Sequence, residues 1–265
     1  MRNVCKQLSL TSFFLFFVFT GTPSAAADKD ALINDLYHRS GLKMQLDWMQ
    51  NNFADARALF GDDAQQADEA TRKMMVLLDK SLKEKFSDQR VRGIVLDHLD
   101  RDLSEQQLEQ ILQIMDDPIW QRAWELEGRA YQPDGIAQMQ QYIAQRLESK
   151  PPRSSRVGLV SELIDVTDAV DLTLEMAIQG ALMASRIMME KLGKTEITEK
   201  QMEDAARRQM ENYREQYRDM LTAQMLYIYR YMSDNQLKAY IQLYSSPIMR
   251  KLNNTVTGAL LAVMR

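Results

Sequence analysis

The chain has 265 residues and carries 33 Lys and Arg against 37 Asp and Glu, a formal net charge of −4. Because nucleic-acid-binding domains carry a basic excess, this balance argues against a nucleic-acid partner. The single cysteine excludes an intrachain disulfide, and two histidines offer little to the hydrolytic and metal-dependent enzymes that rely on that residue.

The first 27 residues are typical of a secretory signal peptide. Arg2 and Lys6 supply a positive start, an uncharged run rich in Leu and Phe follows from Leu8 to Phe19, and Ala25 to Ala27 provide small residues for cleavage. The apolar run is shorter than the roughly 20 residues that a membrane-spanning helix needs. We therefore expect an exported protein that begins near Asp28, with the periplasm as its first location and the extracellular space as the second.

The remaining chain is predicted to be all-α. Only ten Gly and six Pro occur, and long stretches consist of Leu, Met, Ala, Gln, Glu, Lys and Arg, which are good helix formers. Apolar residues recur at spacings of three and four, as they do on one face of a helix. The pattern predicts long helices over Asp30–Phe53, Ala67–Phe86, Val157–Leu192 and Thr198–Tyr231.

Local signals also mark shorter helices. Ser104 and Ser233 each stand three residues before a glutamine, the spacing of a capping box. Asp117 and Ser246 are each expected to cap a helix that starts with the next residue, a proline. Proline is well tolerated at the first position of a helix because its missing N–H would have no intrahelical partner there. Two further short helices are therefore expected in each half of the chain.

These signals repeat at a constant distance. Six residues recur with the same identity 129 positions later: Ser104, Gln107, Leu108, Gln113, Pro118 and Ile119 against Ser233, Gln236, Leu237, Gln242, Pro247 and Ile248. A looser match at an offset near 127 pairs Leu32 and Leu36 with Leu159 and Leu163. We predict two related helical units packed as a duplicated bundle: signal peptide 1–27, first repeat 28–148, linker 149–156 and second repeat 157–265.

The repeated motif resembles a family of exported bacterial proteins classed as a domain of unknown function. The resemblance is carried by a capped helix S-x-x-x-L and then an aromatic-x-Ser-Pro stretch, which here runs from Ser233 to Pro247. The first copy, from Ser104 to Pro118, is more degenerate, and Met249 and Trp120 replace the small residue that the family places two positions after the proline. The resemblance implies an all-helical exported protein and brings no activity with it.

No catalytic, cofactor-binding or metal-binding constellation is expected. His38 and His98 lie sixty residues apart, and neither has the spacing of a metal-binding or catalytic histidine motif. The chain contains no G-x-S-x-G nucleophile elbow and no glycine-rich phosphate loop. We therefore expect a protein that is not an enzyme and uses no cofactor.

A row of acidic residues is the strongest electrostatic feature, and its members recur every three or four positions: Glu162, Asp165, Asp168, Asp171 and Glu175. Their density argues against a membrane span in this apolar stretch. Carboxylates can hold a hard cation, but a row along one rigid helix offers ligands from one side only. A solvated helix face is the interpretation that the row favours.

Aromatic residues supply the candidate binding surface. Three pairs of tyrosines, each one helical turn apart, concentrate near the end of the chain: Tyr213 and Tyr217, Tyr227 and Tyr231, Tyr240 and Tyr244. With the methionines between them they could line a groove for an apolar peptide or acyl chain. The alternative is ordinary core and helix–helix packing, which is the commoner role of such a stripe.

The leading hypothesis is a non-enzymatic envelope protein that binds a protein partner or an apolar ligand. A structural homodimer with the Tyr/Met-rich stretch as its contact is the second hypothesis. A hydrolase that uses carboxylates alone is the third, and it would need two carboxylates facing each other across a pocket.

Overall fold

The computed structural model describes residues 28–40, 86–147, 149–192 and 198–264, together with positions 42, 43, 46, 69, 76, 80 and 84. The described part is all-α and contains no strand. Its helices are α1 Lys29–Arg39, α2 Asp88–Asp102, α3 Glu105–Met115, α4 Pro118–Ala130, α5 Pro133–Tyr142, α6 Ser154–Val166, α7 Ala169–Leu192, α8 Glu199–Glu211, α9 Arg214–Ile228, α10 Asp234–Tyr244 and α11 Pro247–Met264, with a π-helical turn Ile143–Leu147 after α5. The predicted signal peptide, 1–27, and most of the helix expected over 67–86 lie outside the described residues.

The predicted capping boxes are confirmed. The Ser104 hydroxyl accepts from the backbone N–H of Gln107, and the Gln107 side chain accepts from the backbone N–H of Ser104. Ser233 and Gln236 make the same reciprocal pair at the start of α10. Each box satisfies two backbone donors that would otherwise lack partners, so it fixes where its helix begins.

The proline starts of α4 and α11 are also confirmed, but their caps differ. Asp117 Oδ1 accepts from the backbone N–H of Ile119 at 2.7 Å, as the cap before a proline should. The cap expected at Ser246 is wrong, because its hydroxyl donates instead to the carbonyl of Leu243 at 2.7 Å. Ser246 therefore satisfies the end of α10 rather than the start of α11.

The long helices predicted from periodicity are interrupted. The helix expected over Val157–Leu192 is divided at Asp168, whose φ of 51° lies in the left-handed region that ends a right-handed helix. The helix expected over Thr198–Tyr231 is divided between Glu211 and Arg214. The first helix ends at Arg39 rather than at Phe53, with Ser40 as its cap.

The segment between the two halves is shorter than the linker predicted over 149–156, since α6 begins at Ser154. Arg156, only 13% exposed, holds this helix in place. Its guanidinium donates to Asp234 Oδ1 at 3.0 Å and to the carbonyl of Tyr229 at 2.6 Å. These bonds join the start of α6 to the end of α9 and the start of α10.

Two groups of helices pack together in the described part of the chain, and each contains one helix from the other half of the sequence. The first group packs α1 against α2 and α3 and is completed by α11. The second packs α6 against α9 and α10 and is completed by α4. The helix that starts with proline in each half is thus exchanged, and α7 contacts α6, α8, α9 and α11.

The centres of both groups are closely packed and apolar. Leu36, Leu99 and Leu108 are fully buried in the first group, as Val160 and Leu237 are in the second. Removing most of a buried leucine side chain costs about 2–5 kcal/mol, so these positions contribute strongly to the free energy of unfolding.

Gly135 is required because the start of α5 lies very close to the backbone at the end of α4. A Cβ on Gly135 would lie 2.1 Å from the carbonyl oxygen of Arg129 and 2.8 Å from that of Ala130. Both obstacles are backbone atoms of the preceding helix, so they cannot turn away. Gly135 therefore lets the start of α5 rest on the end of α4.

Candidate functional site

A cleft of about 620 Å³ opens between α7, the α8–α9 junction and α11. Its floor is apolar: Leu174 and Ile178 of α7 are buried, and Leu172 of α7, Met210 of α8 and Leu261 of α11 also line it. The rim is charged and polar. A cleft of this size falls within the range of roughly 300–1,000 Å³ typical of small-molecule sites.

Arginines of α8 and α9 cover the acidic row. Arg207 donates to both oxygens of Glu175, at 2.6 and 3.0 Å. Arg214 donates to Asp171 Oδ1 at 2.6 Å, and Arg218 donates to Asp165 Oδ1 at 2.9 Å.

Four of the five acidic residues are exposed, as expected of a solvated face, and Glu175 is half-buried, but the row has a further role that was not predicted. Asp165, Asp171 and Glu175 form ion pairs between helices, so this flank is part of a helix–helix interface. The reason is that α8 and α9 bring their arginines back across α6 and α7. Such exposed pairs are individually worth about 0–1 kcal/mol, and they fix the orientation of the side chains at the rim.

The two rim arginines are also held by carboxylates that precede them in the chain by three or four residues. Arg207 contacts Glu203 at 2.8 Å, and Arg214 contacts Glu211 at 2.6 Å. The Arg214 hydrogen bond lowers the pKa of Glu211, while the bonds to Glu211 and Asp171 raise the pKa of Arg214. Both groups therefore stay charged at neutral pH, and each guanidinium already holds two carboxylates.

Asp168 differs from the other rim carboxylates. It lies at the junction of α6 and α7, is exposed and lines the cleft. No Lys or Arg of the described residues lies within ion-pair distance of it. The rim as a whole contributes four carboxylates and two guanidinium groups, an excess of two negative charges: Asp168, Asp171, Glu175 and Glu211 against Arg207 and Arg214.

A second polar cluster lies where α4 enters the second group. Glu127 Oε1 accepts hydrogen bonds from the hydroxyls of Tyr229 at 2.6 Å and Tyr240 at 2.8 Å. Removal from water raises the pKa of Glu127, and the two tyrosine hydrogen bonds oppose the shift without cancelling it. Burial and the neighbouring carboxylate also raise the pKa values of both tyrosines well above their usual range.

Aromatic rings surround this carboxylate. The Trp120 ring centroid lies 5.5 Å from that of Tyr240 and 5.0 Å from that of Tyr244. Trp120 Nε1 is buried and has no hydrogen-bond partner among the described residues. Desolvation of its hydroxyl and the nearby Glu127 carboxylate raise the pKa of Tyr131, which is 38% exposed at the edge of the cluster, to about 12.

Sequence reasoning did not single out Glu127. A usable signal was present: Val256 occupies the position 129 residues later, so an ionisable group stands where the other half has an apolar one. Tyr240 likewise corresponds to Ile111. Comparison of the two halves, position by position, would have drawn attention to a polar cluster at this place.

The six tyrosines of the candidate binding surface do not share one exposed face. Tyr227 and Tyr240 are 4% and 1% exposed and belong to the core. Tyr244 and Tyr217 are half-buried against it. The remaining two, Tyr213 and Tyr231, are 43% and 65% exposed and lie at opposite ends of α9.

The buried tyrosines have defined partners. The Tyr227 ring packs against that of Tyr142 at 5.4 Å, and the guanidinium of Arg230 lies 3.6 Å above its centroid. The Tyr240 ring contacts Tyr244 edge-on at 5.1 Å. These rings link helices to one another, which is the packing role weighed as the alternative above.

The histidines occupy separate places. His38 is exposed on α1 beside Tyr37, and His98 on α2 places Nδ1 2.9 Å from the carbonyl oxygen of Ile94. Within the described ranges, no three His, Cys, Asp or Glu side chains meet in a group that could hold a metal ion. None of the helices described above combines the length and hydropathy needed to cross a bilayer.

Comparison with known proteins adds no relative to these observations. No family model matches the chain, and no curated protein and no solved structure is similar to it. The resemblance carried by Ser233 to Pro247 therefore stays a prediction, and function has to be argued from the cleft and the buried cluster.

Proposed function

We propose that this protein is a non-catalytic, exported binding protein, and that its ligand places an apolar part in the cleft between α7 and α11. The observation that carries the proposal is the combination of about 620 Å³ of volume with an apolar floor. Leu174, Ile178 and Leu261 offer contact area to an apolar group, which gains free energy when it leaves water.

The state of the rim carboxylates favours binding over acid–base catalysis. A general acid needs a carboxyl group that stays protonated near neutral pH, and such groups have raised pKa values. Asp171, Glu175 and Glu211 are instead paired with arginines, and the pKa of Glu211 is lowered. A carboxylate-dependent hydrolase is therefore not the function we propose for this cleft.

We include the predicted duplication in the proposal. It is supported by matching local structure: α3 and α10 each start with a Ser-Gln capping box, and each is followed by a helix that starts with proline. In this interpretation the two halves have diverged, because every element that lines the cleft, including α7, α8, α9 and α11, belongs to the second half. The first half then serves mainly as the scaffold that receives α11.

The proposal is tested by uptake of the neutral fluorescent probe N-phenyl-1-naphthylamine by the purified protein. We expect saturable fluorescence enhancement, because the probe moves from water to the apolar floor. Thr257→Trp fills the cleft from α11 and should weaken uptake at least fivefold.

The matched control is Thr222→Trp, which places the same ring at a half-buried threonine of α9 outside the cleft. It should leave uptake within twofold of the unaltered protein, provided that circular dichroism shows both variants folded. No saturable uptake by the unaltered protein, or equal loss in both variants, would overturn the proposal.

A further inference from the structure

We propose that the cleft selects cationic amphiphiles: ligands with an alkylammonium group joined to an apolar body, the cation resting against Asp168. This inference rests on the proposed function, since it names the ligand class of the same cleft. It is argued from which charged side chains of the rim are already in ion pairs and which are not.

An anionic ligand would meet occupied arginines. Arg207 already holds both oxygens of Glu175 and one of Glu203. Arg214 contacts Asp171 and Glu211 in the same way. A carboxylate or phosphate entering the cleft would have to displace these partners while lying beside four other negative groups, and like charges repel.

A cationic group meets the opposite situation. Asp168 is exposed at the rim and free of the ion pairs that occupy its neighbours. The start of α7 adjoins it and contributes a partial positive charge of about half a unit. That contribution is smaller than the excess of two negative charges on the rim, so the field in the cleft still favours a cation.

Asp168 lies close in the chain to the apolar residues of α7 that line the cleft. Leu172 follows Asp168 by four residues, lines the same cleft and belongs to the first turn of α7. Ile178 continues the apolar lining beyond it. A ligand with its ammonium group at Asp168 therefore directs an attached chain along α7 toward Ile178.

The experiment compares three competitors with the same twelve-carbon chain, each below its critical micelle concentration: dodecylammonium, dodecanoate and dodecyl maltoside. Each is titrated against the protein carrying N-phenyl-1-naphthylamine. We expect dodecylammonium to displace the probe at a concentration at least tenfold lower than dodecanoate, with the neutral maltoside between them.

Asp168→Asn tests the anchor, because asparagine tolerates the left-handed backbone of this position and removes only the charge. It should reduce the preference for dodecylammonium at least fivefold. Glu162→Gln is the matched control, since it removes one exposed charge of the same acidic row outside the cleft. It should change the preference by less than twofold.

The outcomes separate this inference from the proposed function. If all three competitors displace the probe equally, or if dodecanoate is preferred, the cationic inference is overturned while apolar binding in the cleft stands. Unchanged selectivity in Asp168→Asn also overturns the inference. If the probe itself does not bind, the proposed function fails first.

Discussion

Tyr229 and Glu127 are 102 positions apart in the chain and form a short, part-buried hydrogen bond, with the hydroxyl oxygen 2.6 Å from the carboxylate. Tyr240 donates to the same oxygen. Glu127 lies on α4 of the first half, whereas both donors belong to the second half. The bond therefore joins the exchanged helix α4 to its host group.

Replacing Glu127 by glutamine should change how stability depends on pH. Because the folded pKa of Glu127 is raised, its protonated form favours folding, and that contribution is complete below the unfolded value near 4.5. The contribution is lost as pH rises through the raised folded pKa. Glu127→Gln lacks this titration, so its stability relative to the unaltered protein should increase as the pH rises above the unfolded value.

Urea unfolding at several pH values measures this difference. Glu125→Gln changes an exposed carboxylate on the same helix and serves as the control, with an expected effect under about 0.5 kcal/mol at every pH. A difference between Glu127→Gln and the unaltered protein that is constant with pH would contradict the raised pKa.

Removing either tyrosine hydroxyl should destabilise the protein. Tyr229→Phe and Tyr240→Phe each delete one hydrogen bond to the buried carboxylate, and we expect a loss of about 1–2 kcal/mol for each. Tyr231→Phe at an exposed position should cost almost nothing. Chemical unfolding of the three variants tests the ranking, and equal stabilities would show that the cluster contributes little.

Gly135→Ala should be among the most damaging small changes. Its new methyl group would collide with the backbone at Arg129 and Ala130, so α5 must move away from α4. We expect a loss of more than about 2 kcal/mol in unfolding free energy. Gly93→Ala, at an exposed position of α2 with open space, should instead stabilise by about 0.5–1 kcal/mol, and thermal melts compare the two directly.

The two capping serines should be equivalent in cost. Ser104→Ala and Ser233→Ala each remove one side-chain acceptor from a helix start, at about 1 kcal/mol. Ser155→Ala, at an exposed position inside the first turn of α6, is the matched control and should be nearly neutral. A cost confined to one capping site would show that only one of the two boxes persists in solution.

Several helix starts could be predicted from the sequence, because a capping box or a proline acts only on residues within one turn. Ser104 and Ser233 illustrate this, since each bonds only to a residue three positions away. The break at Asp168 escaped prediction because the apolar spacing of α6 continues into α7 across it. Periodicity reports which face is buried, but one residue of left-handed backbone leaves that spacing almost unchanged.

The candidate site could be predicted only in part. The acidic row was visible, but its arginine partners come from α8 and α9, so only the folded arrangement shows which carboxylates are paired. The same ion pairs distinguish Asp168. Among the acids lining the cleft in the described structure, it alone has no arginine partner. The buried cluster at Glu127 depends on the exchange of α4, which no local pattern encodes.

The exchange of α4 and α11 makes the two groups of helices depend on each other. A cut within the short segment 151–153 should leave a single noncovalent particle, because α4 stays in the second group and α11 in the first. A chain shortened to either half would instead leave one group without its last helix and expose the apolar surface that this helix covers. Each group therefore depends on a helix that comes from the other side of residues 151–153.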